Sequence, residues 1–310
     1  MPAECEPSLE PSRWHLIAAF LAVYLIWGST YLAIRVAIET IPPFLMAGVR
    51  FTLAGLGLYA WARARGARPP SRLHWRDGAV VGAFLLLGGN GGVVWAEQYV
   101  ASGLAALLVA TVPLWMVLFD WLFNRGPRPD LWLIVGLAGG LGGVVILAGA
   151  PGLGTDGPEA AIGGIVLLVA AMLWSAGSIY SRRAAVPARP RLGTAIQMIT
   201  GGGLLIAAGL ATGELSRLDL GAVSTDSAIA MLYLIVFGSI LGFTAYIWLL
   251  RVTTAARASS YAYINPLVAL ALGWAFADEP VTGRTLIAAG VILGSVALIT
   301  LRPPPPAARR

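Results

Sequence analysis

Along the chain, apolar residues gather in blocks about twenty residues long, separated by short polar breaks. A helix of about twenty apolar residues crosses a bilayer core about 30 Å thick, so each block predicts one membrane-spanning helix. The blocks fall at 14–37, 42–61, 78–98, 102–123, 130–150, 161–181, 192–212, 227–250, 255–276 and 281–301. The breaks carry residues that stop helices. Pro42 and Pro43 open the second block, and Asn124 to Pro129 turn the chain after the fourth. PGLGTDGPEA (151–160) is the longest Gly/Pro-rich hydrophilic break without a basic residue. The pattern predicts an all-α integral membrane fold of ten transmembrane helices. Arg13 precedes the first block as in a signal peptide, but the block is longer than a signal core and nine more follow, so it reads as a retained span.

The blocks repeat. Residues 95–147 occur again, altered, at 248–299. At an offset of 153, Trp95 meets Trp248, Pro113 meets Pro266, Trp121 meets Trp274 and Phe123 meets Phe276. Earlier in each half the offset is 147: LIWGSTYLAIR (25–35) faces MLWSAGSIYSR (172–182), so Trp27 falls on Trp174 and Arg35 on Arg182. Repeats of this kind set the architecture. Five spans precede the break at 151–160 and five follow. An odd number per half puts the second half into the membrane upside down, as in secondary transporters whose substrate site lies near the midplane between inverted repeats. The expected division is a cytoplasmic tail (1–13), a first five-helix repeat (14–150), an external linker (151–160), a second five-helix repeat (161–301) and a second cytoplasmic tail (302–310).

Composition and charge sharpen this picture. The chain is 58% hydrophobic and 12% charged, against roughly 25% charged residues in a soluble domain. The formal charge of +6 comes entirely from arginine excess, since the chain has no lysine. With the N-terminus placed in the cytoplasm, 17 of the 21 arginines lie in inside segments. That bias puts both termini in the cytoplasm and explains the basic balance without nucleic acid. Without lysine there is neither a phosphate-binding Walker loop nor a Schiff base. The only histidines, His15 and His74, flank spans, and no HExxH, CxxC or GxSxG occurs. GLGTDG (152–157) sits in the linker with no strand before it and reads as a turn. The single cysteine, Cys5, cannot form an intrachain disulfide. No enzyme, cofactor or metal site is expected.

Polar residues within spans are costly and mark function or pairing. Arg50 lies about eight residues into the second span, roughly 12 Å deep at 1.5 Å per residue. Glu97 is its candidate acid, either a structural partner or a proton-exchanging carboxylate, and Asn90 could donate or accept nearby. Trp27 and Trp174 sit at matched depths near the midplane, away from the interfacial belt that tryptophan favours. Tyr31 and Ser178 flank them, and Tyr246 and Thr244 could join. The ninth span adds Tyr261, Tyr263 and Asn265. Rings with a few hydroxyls and an amide suit a mostly apolar pocket. Helix-to-helix hydrogen bonding would use the same residues. Pro113 and Pro266, matched and mid-span, should bend their helices. Glycines at spacing four (Gly88/Gly92, Gly136/Gly140, Gly139/Gly143, Gly238/Gly242, Gly290/Gly294) should let spans pack closely, and spans 5 and 10 could use theirs for dimerisation, so monomer and homodimer both fit.

Four stretches together resemble the EamA-type members of the drug/metabolite transporter superfamily: YLIWGSTY (24–31), PPFLMAGVRF (42–51), GNGGVVWAEQYVASGLAALLVATVP (89–113) and SYAYINPLVALALG (260–273). The resemblance covers both halves. It implies a ten-helix inverted-repeat exporter of the bacterial-type inner membrane that moves small metabolites, amino acids or drugs outward. It fixes neither substrate nor coupling, so facilitated diffusion and proton antiport stay open. The partners expected are a small-molecule substrate and membrane lipid. A channel and a non-transporting membrane scaffold are the alternatives.

Overall fold

A computed structural model describes residues 13–124, 131–148, 158–185, 187, 189–253 and 255–300. Both tails and most of the 151–160 linker lie outside these residues. Among the described residues the secondary structure is helical and includes no strand. Among the described residues, seven helices are long and apolar enough to cross a membrane: α1 (Arg13–Ala37), α2 (Pro43–Ala64), α3 (Arg72–Ala96), α4 (Ser102–Phe123), α6 (Pro158–Ser181), α7 (Pro190–Ala211) and α8 (Thr225–Val252). Three further apolar helices, α5 (Leu131–Ala148), α9 (Tyr261–Phe276) and α10 (Gly283–Thr300), occupy the fifth, ninth and tenth predicted blocks.

The bundle is apolar outside, and its largely apolar interior also holds polar side chains. Leu21, Leu25, Leu53, Leu56, Ile162 and Ile165 are exposed, whereas Arg50, Glu97, Ser175, Ser178 and Asn265 are buried. A water-facing protein would not leave so much aliphatic surface uncovered. Lipid tails accept it.

Helix ends follow local chemistry. Pro43 and Pro190 open α2 and α7, where a missing N–H costs no hydrogen bond. Ser71 caps α3 in a reciprocal capping box with His74. α2 and α7 both run into a left-handed glycine, Gly66 (φ 81°) and Gly213 (φ 75°). These two lie 147 residues apart, so the helix stop repeats along with the helix.

Three spans contain π-helical turns: Ala22–Ile26 in α1, Ala83–Asn90 in α3 and Leu234–Phe243 in α8. Those of α3 and α8 coincide under the 153-residue offset. α4 is interrupted at Ala110–Thr111, directly before Pro113. At the matched proline the helix does not break. α9 runs through Pro266, and the interruption falls earlier, at Ser259–Ser260.

Helix pairs cross between the halves: α2 lies on α7, α5 on α10, α3 on α6 and α4 on α9. The closest seam is α2–α7, where a Cβ at Gly202 would come within 2.5 Å of Thr52 Oγ1 and 2.7 Å of its backbone nitrogen. Gly88 and Gly92 face Leu173 and Ala170 of α6 as expected of packing glycines. Gly290 and Gly294 have open space around them, and α10 meets α5 through Ser295 and Ile292 instead.

Candidate functional site

Four rings from four helices meet at the centre of the bundle. Trp27 of α1 touches Trp174 of α6 edge to face (5.4 Å between centroids), Tyr261 of α9 likewise (5.3 Å), and Tyr246 of α8 at a tilt (4.9 Å). The repeat brings this about, since the two tryptophans are equivalent positions of the two halves meeting at the centre. Hydrogen bonds hold the rings. Trp27 Nε1 donates to the Gly238 carbonyl (3.1 Å), which lies in the π-helical part of α8. Trp174 Nε1 donates to Tyr246 Oη (3.1 Å), and Ser178 Oγ lies 2.7 Å from the same hydroxyl. Asn265, oriented so that its amide nitrogen donates, bonds the carbonyls of Tyr24 (3.0 Å) and Tyr261 (3.2 Å). Both indole N–H groups and the Tyr246 hydroxyl are therefore tied, which leaves ring surface as the main contact these residues offer.

Beside the rings lies a cavity of about 70 Å³ lined by Trp27, Tyr31, Arg50, Asn90, Trp174, Tyr261 and Asn265, among others. A cavity of roughly 150 Å³ admits a benzene ring, so this one holds a few waters and is closed to a metabolite in the conformation seen. The sequence reading therefore converges on one place for these seven residues. Ser178 does not line the cavity; it stands behind Tyr246 and fixes its hydroxyl. The side chain of Tyr263 lies outside what is described. Phe51, Val93 and Phe243 also form the wall and escaped the sequence reading, because an apolar residue in a membrane helix carries no signal of its own.

Arg50 is 3% exposed. Its Nη2 donates to Asn90 Oδ1 (2.8 Å), and its Cζ sits 4.4 Å above the centroid of the Phe51 ring. Nε and Nη1 have no partner among the described residues. The direct Arg50–Glu97 ion pair expected from the sequence does not form; the Arg50 guanidinium meets Asn90 instead. Glu97 lies one turn past Val93, is 1% exposed, and neither carboxylate oxygen has a hydrogen-bond partner. Arg35, Arg50 and Glu279 are the charges that act on it. A buried guanidinium and a buried carboxyl group thus stand near one another with hydrogen-bonding capacity unused. Leaving buried polar atoms of this kind without hydrogen bonds is expensive.

At the end of the bundle remote from the arginine-rich loops, two carboxylates that the sequence reading missed tie the halves together. Glu279, after α9, accepts from Ser102 N (2.8 Å), Ser102 Oγ (2.7 Å) and Gly103 N (3.0 Å), at the first turn of α4. Glu214, after α7, accepts from Phe44 N (3.2 Å) and Leu45 N (2.8 Å), at the first turn of α2. Both are buried. The signal was available: α2 and α4 start after Pro42 and Ala101, neither of which gives a side-chain cap. Orphan N–H groups at a buried helix start must find an acceptor. Here it comes from the opposite half.

A helical membrane bundle with a small, mostly apolar central cavity carrying a few polar groups, where two repeated halves meet, fits a membrane transporter. The comparisons agree. The model of the EamA-like transporter family matches twice, at residues 13–149 and 161–301. The chain belongs to this family, within the drug/metabolite transporter superfamily. Over 288 residues it is 41% identical to the uncharacterized inner membrane transporter YedA of Escherichia coli K12, covering 92% of this chain and 90% of that one. It is 32% identical to protein PagO of Salmonella typhimurium, covering 82% of each, and 26% identical to the uncharacterized transporter YvbV of Bacillus subtilis, covering 95% and 93%. A solved crystal structure shares the fold with a TM-score of 0.66 and 23% identity, over 94% of this chain and 98% of that one.

Proposed function

We propose that the protein is a secondary transporter of the inner membrane that exports small metabolites by alternating access. In this reading ten spans form two inverted five-helix repeats, with both termini in the cytoplasm. One observation carries it. A buried arginine, with two donor nitrogens that have no partner among the described residues, lines a small cavity walled by aromatic rings at the centre of the bundle. Arg50 would take a carboxylate, and the ring faces of Trp27, Trp174 and Tyr261 would take an apolar or aromatic side chain. Amino acids and aromatic or amphipathic acids suit these groups. A sugar phosphate would want more than one cation. The cavity must enlarge to admit any of them, and the ties made by Glu214 and Glu279 would then mark this as an externally closed state.

Efflux from reconstituted liposomes tests the proposal. Vesicles loaded with amino acids, aromatic acids and cationic dyes should lose one class selectively and saturably. Absence of loss for every class overturns it. Glu97, with both oxygens unpartnered, is the group we assign to proton exchange. Efflux should then depend on a pH gradient, and gradient-independent efflux would return Glu97 to a structural role.

A further inference from the structure

A second and much larger hollow lies nearer the arginine-rich end. It is a cleft of about 1250 Å³ between α1, α2, α7 and α8. Its residues on α1 and α2 lie on the arginine-rich side of those that line the central cavity, and on α8 its lining runs from Ile240 past Phe243 to Arg251. Ligand pockets for drug-sized molecules run to about 300–1,000 Å³, so this cleft suits something longer. Its walls are apolar, from Leu58, Ile240 and Leu241. Leu241 and Trp61 are half exposed at its edge, so it opens toward the hydrocarbon side of the bundle.

The rim is cationic. Arg189, Arg191 and Arg251 all line the cleft, and no carboxylate does so among the described residues. None of the three has a carboxylate within ion-pair distance among those residues. Two are held in place without being neutralised. Arg189 Nη1 donates to the carbonyl of Arg65, and Arg191 lies over the Trp61 ring at 4.8 Å, with Arg65 stacked on the same ring at 5.4 Å. Further in, the Thr244 hydroxyl has no partner, and a Cβ at Gly57 would meet nothing within 4 Å.

We propose that this cleft binds an anionic phospholipid. The phosphate sits among Arg189, Arg191 and Arg251, and an acyl chain runs along the wall past Gly57. Charge complementarity decides the occupant: a neutral lipid would leave three arginines unanswered, and a water-soluble anion would leave the apolar walls unanswered. Basic pockets between transmembrane helices take acidic lipid headgroups on these grounds. The site does not depend on the substrate proposed above.

Native mass spectrometry of the full chain tests it, with equimolar phosphatidylglycerol and phosphatidylcholine of the same acyl composition. The wild type should retain phosphatidylglycerol preferentially. Arg189→Gln, Arg191→Gln and Arg251→Gln should each reduce that preference about fivefold, the equivalent of about 1 kcal/mol per cation. Gly57→Leu, which fills the cleft without touching charge, should lower retention of both lipids. Equal retention of the two lipids by the wild type overturns the proposal, as does a triple glutamine variant that keeps its preference while remaining folded. Displacement of phosphatidylglycerol by glycerol phosphate at equal concentration would make the cleft a free-anion site and also overturn it.

Discussion

Arg50 spends one of its five N–H donors on Asn90. Asn90→Leu removes that acceptor, and a hydrogen bond to a charged group is worth about 1.5–3 kcal/mol. Thermal unfolding in detergent should show the loss, and an unchanged midpoint would mean Arg50 has another partner. Glu97→Gln should behave differently. No hydrogen bond is broken and a buried ionisable group disappears, so stability should hold or rise while any pH-gradient dependence of efflux is lost. Arg50→Ala should abolish transport even where insertion is normal. The sequence shows this trio and the two tryptophans plainly, because charge and tryptophan deep in a span are conspicuous. Tyr246 is harder to place. A π turn adds a residue to the helical repeat, so facing cannot be followed by a 3.6-residue period across Leu234–Phe243. Phe51 and Phe243 look like any other apolar residue until α2 and α8 are set side by side.

At the scale of helices, the informative contacts are closures between halves. Glu279→Ala would strip three acceptor bonds from the first turn of α4 and leave Ser102 N and Gly103 N orphaned. It should lower thermal stability. Combined with Glu214→Ala in a Cys5→Ser background, it should also raise labelling of a cysteine placed at Ala101 by a membrane-impermeant maleimide. Labelling no faster than in the parent would show that these carboxylates do not hold that end shut. Gly202→Val would drive a side chain into Thr52 and the α2 backbone. Overpacking of this kind costs about 1–3 kcal/mol, and the folded yield should fall accordingly. The sequence draws attention to glycines four apart, yet the tightest approach uses Gly48, Gly55 and Gly202. Spacing identifies a small face. Only the partner helix decides whether that face is covered, which is why Gly290 and Gly294 are left open.

For the whole molecule, the sidedness proposed from arginine counts is open to a direct check. In the Cys5→Ser background, Arg68→Cys, in the exposed loop between α2 and α3, should resist an impermeant maleimide in intact cells and react after permeabilisation. Reaction in intact cells would invert the topology. The blocks of apolar residues predicted the helices well, since bilayer thickness sets their length. The repeat was equally legible, as a sequence relation. What it could not convey is that the two halves are not two lobes: α2 rests on α7, α3 on α6 and α5 on α10.

That interleaving bears on how the protein is made. The glycine face of α2 leaves the ribosome about 150 residues ahead of the helix that covers it. At about 5–20 residues per second, this is a wait of roughly 8–30 s in the membrane. Throughout that interval the first five helices carry Arg50 and Glu97 and half-built seams with nothing to close them. Residues 1–150 expressed alone should be cleared by quality control, and their half-life should lengthen when residues 151–310 are supplied from a second gene.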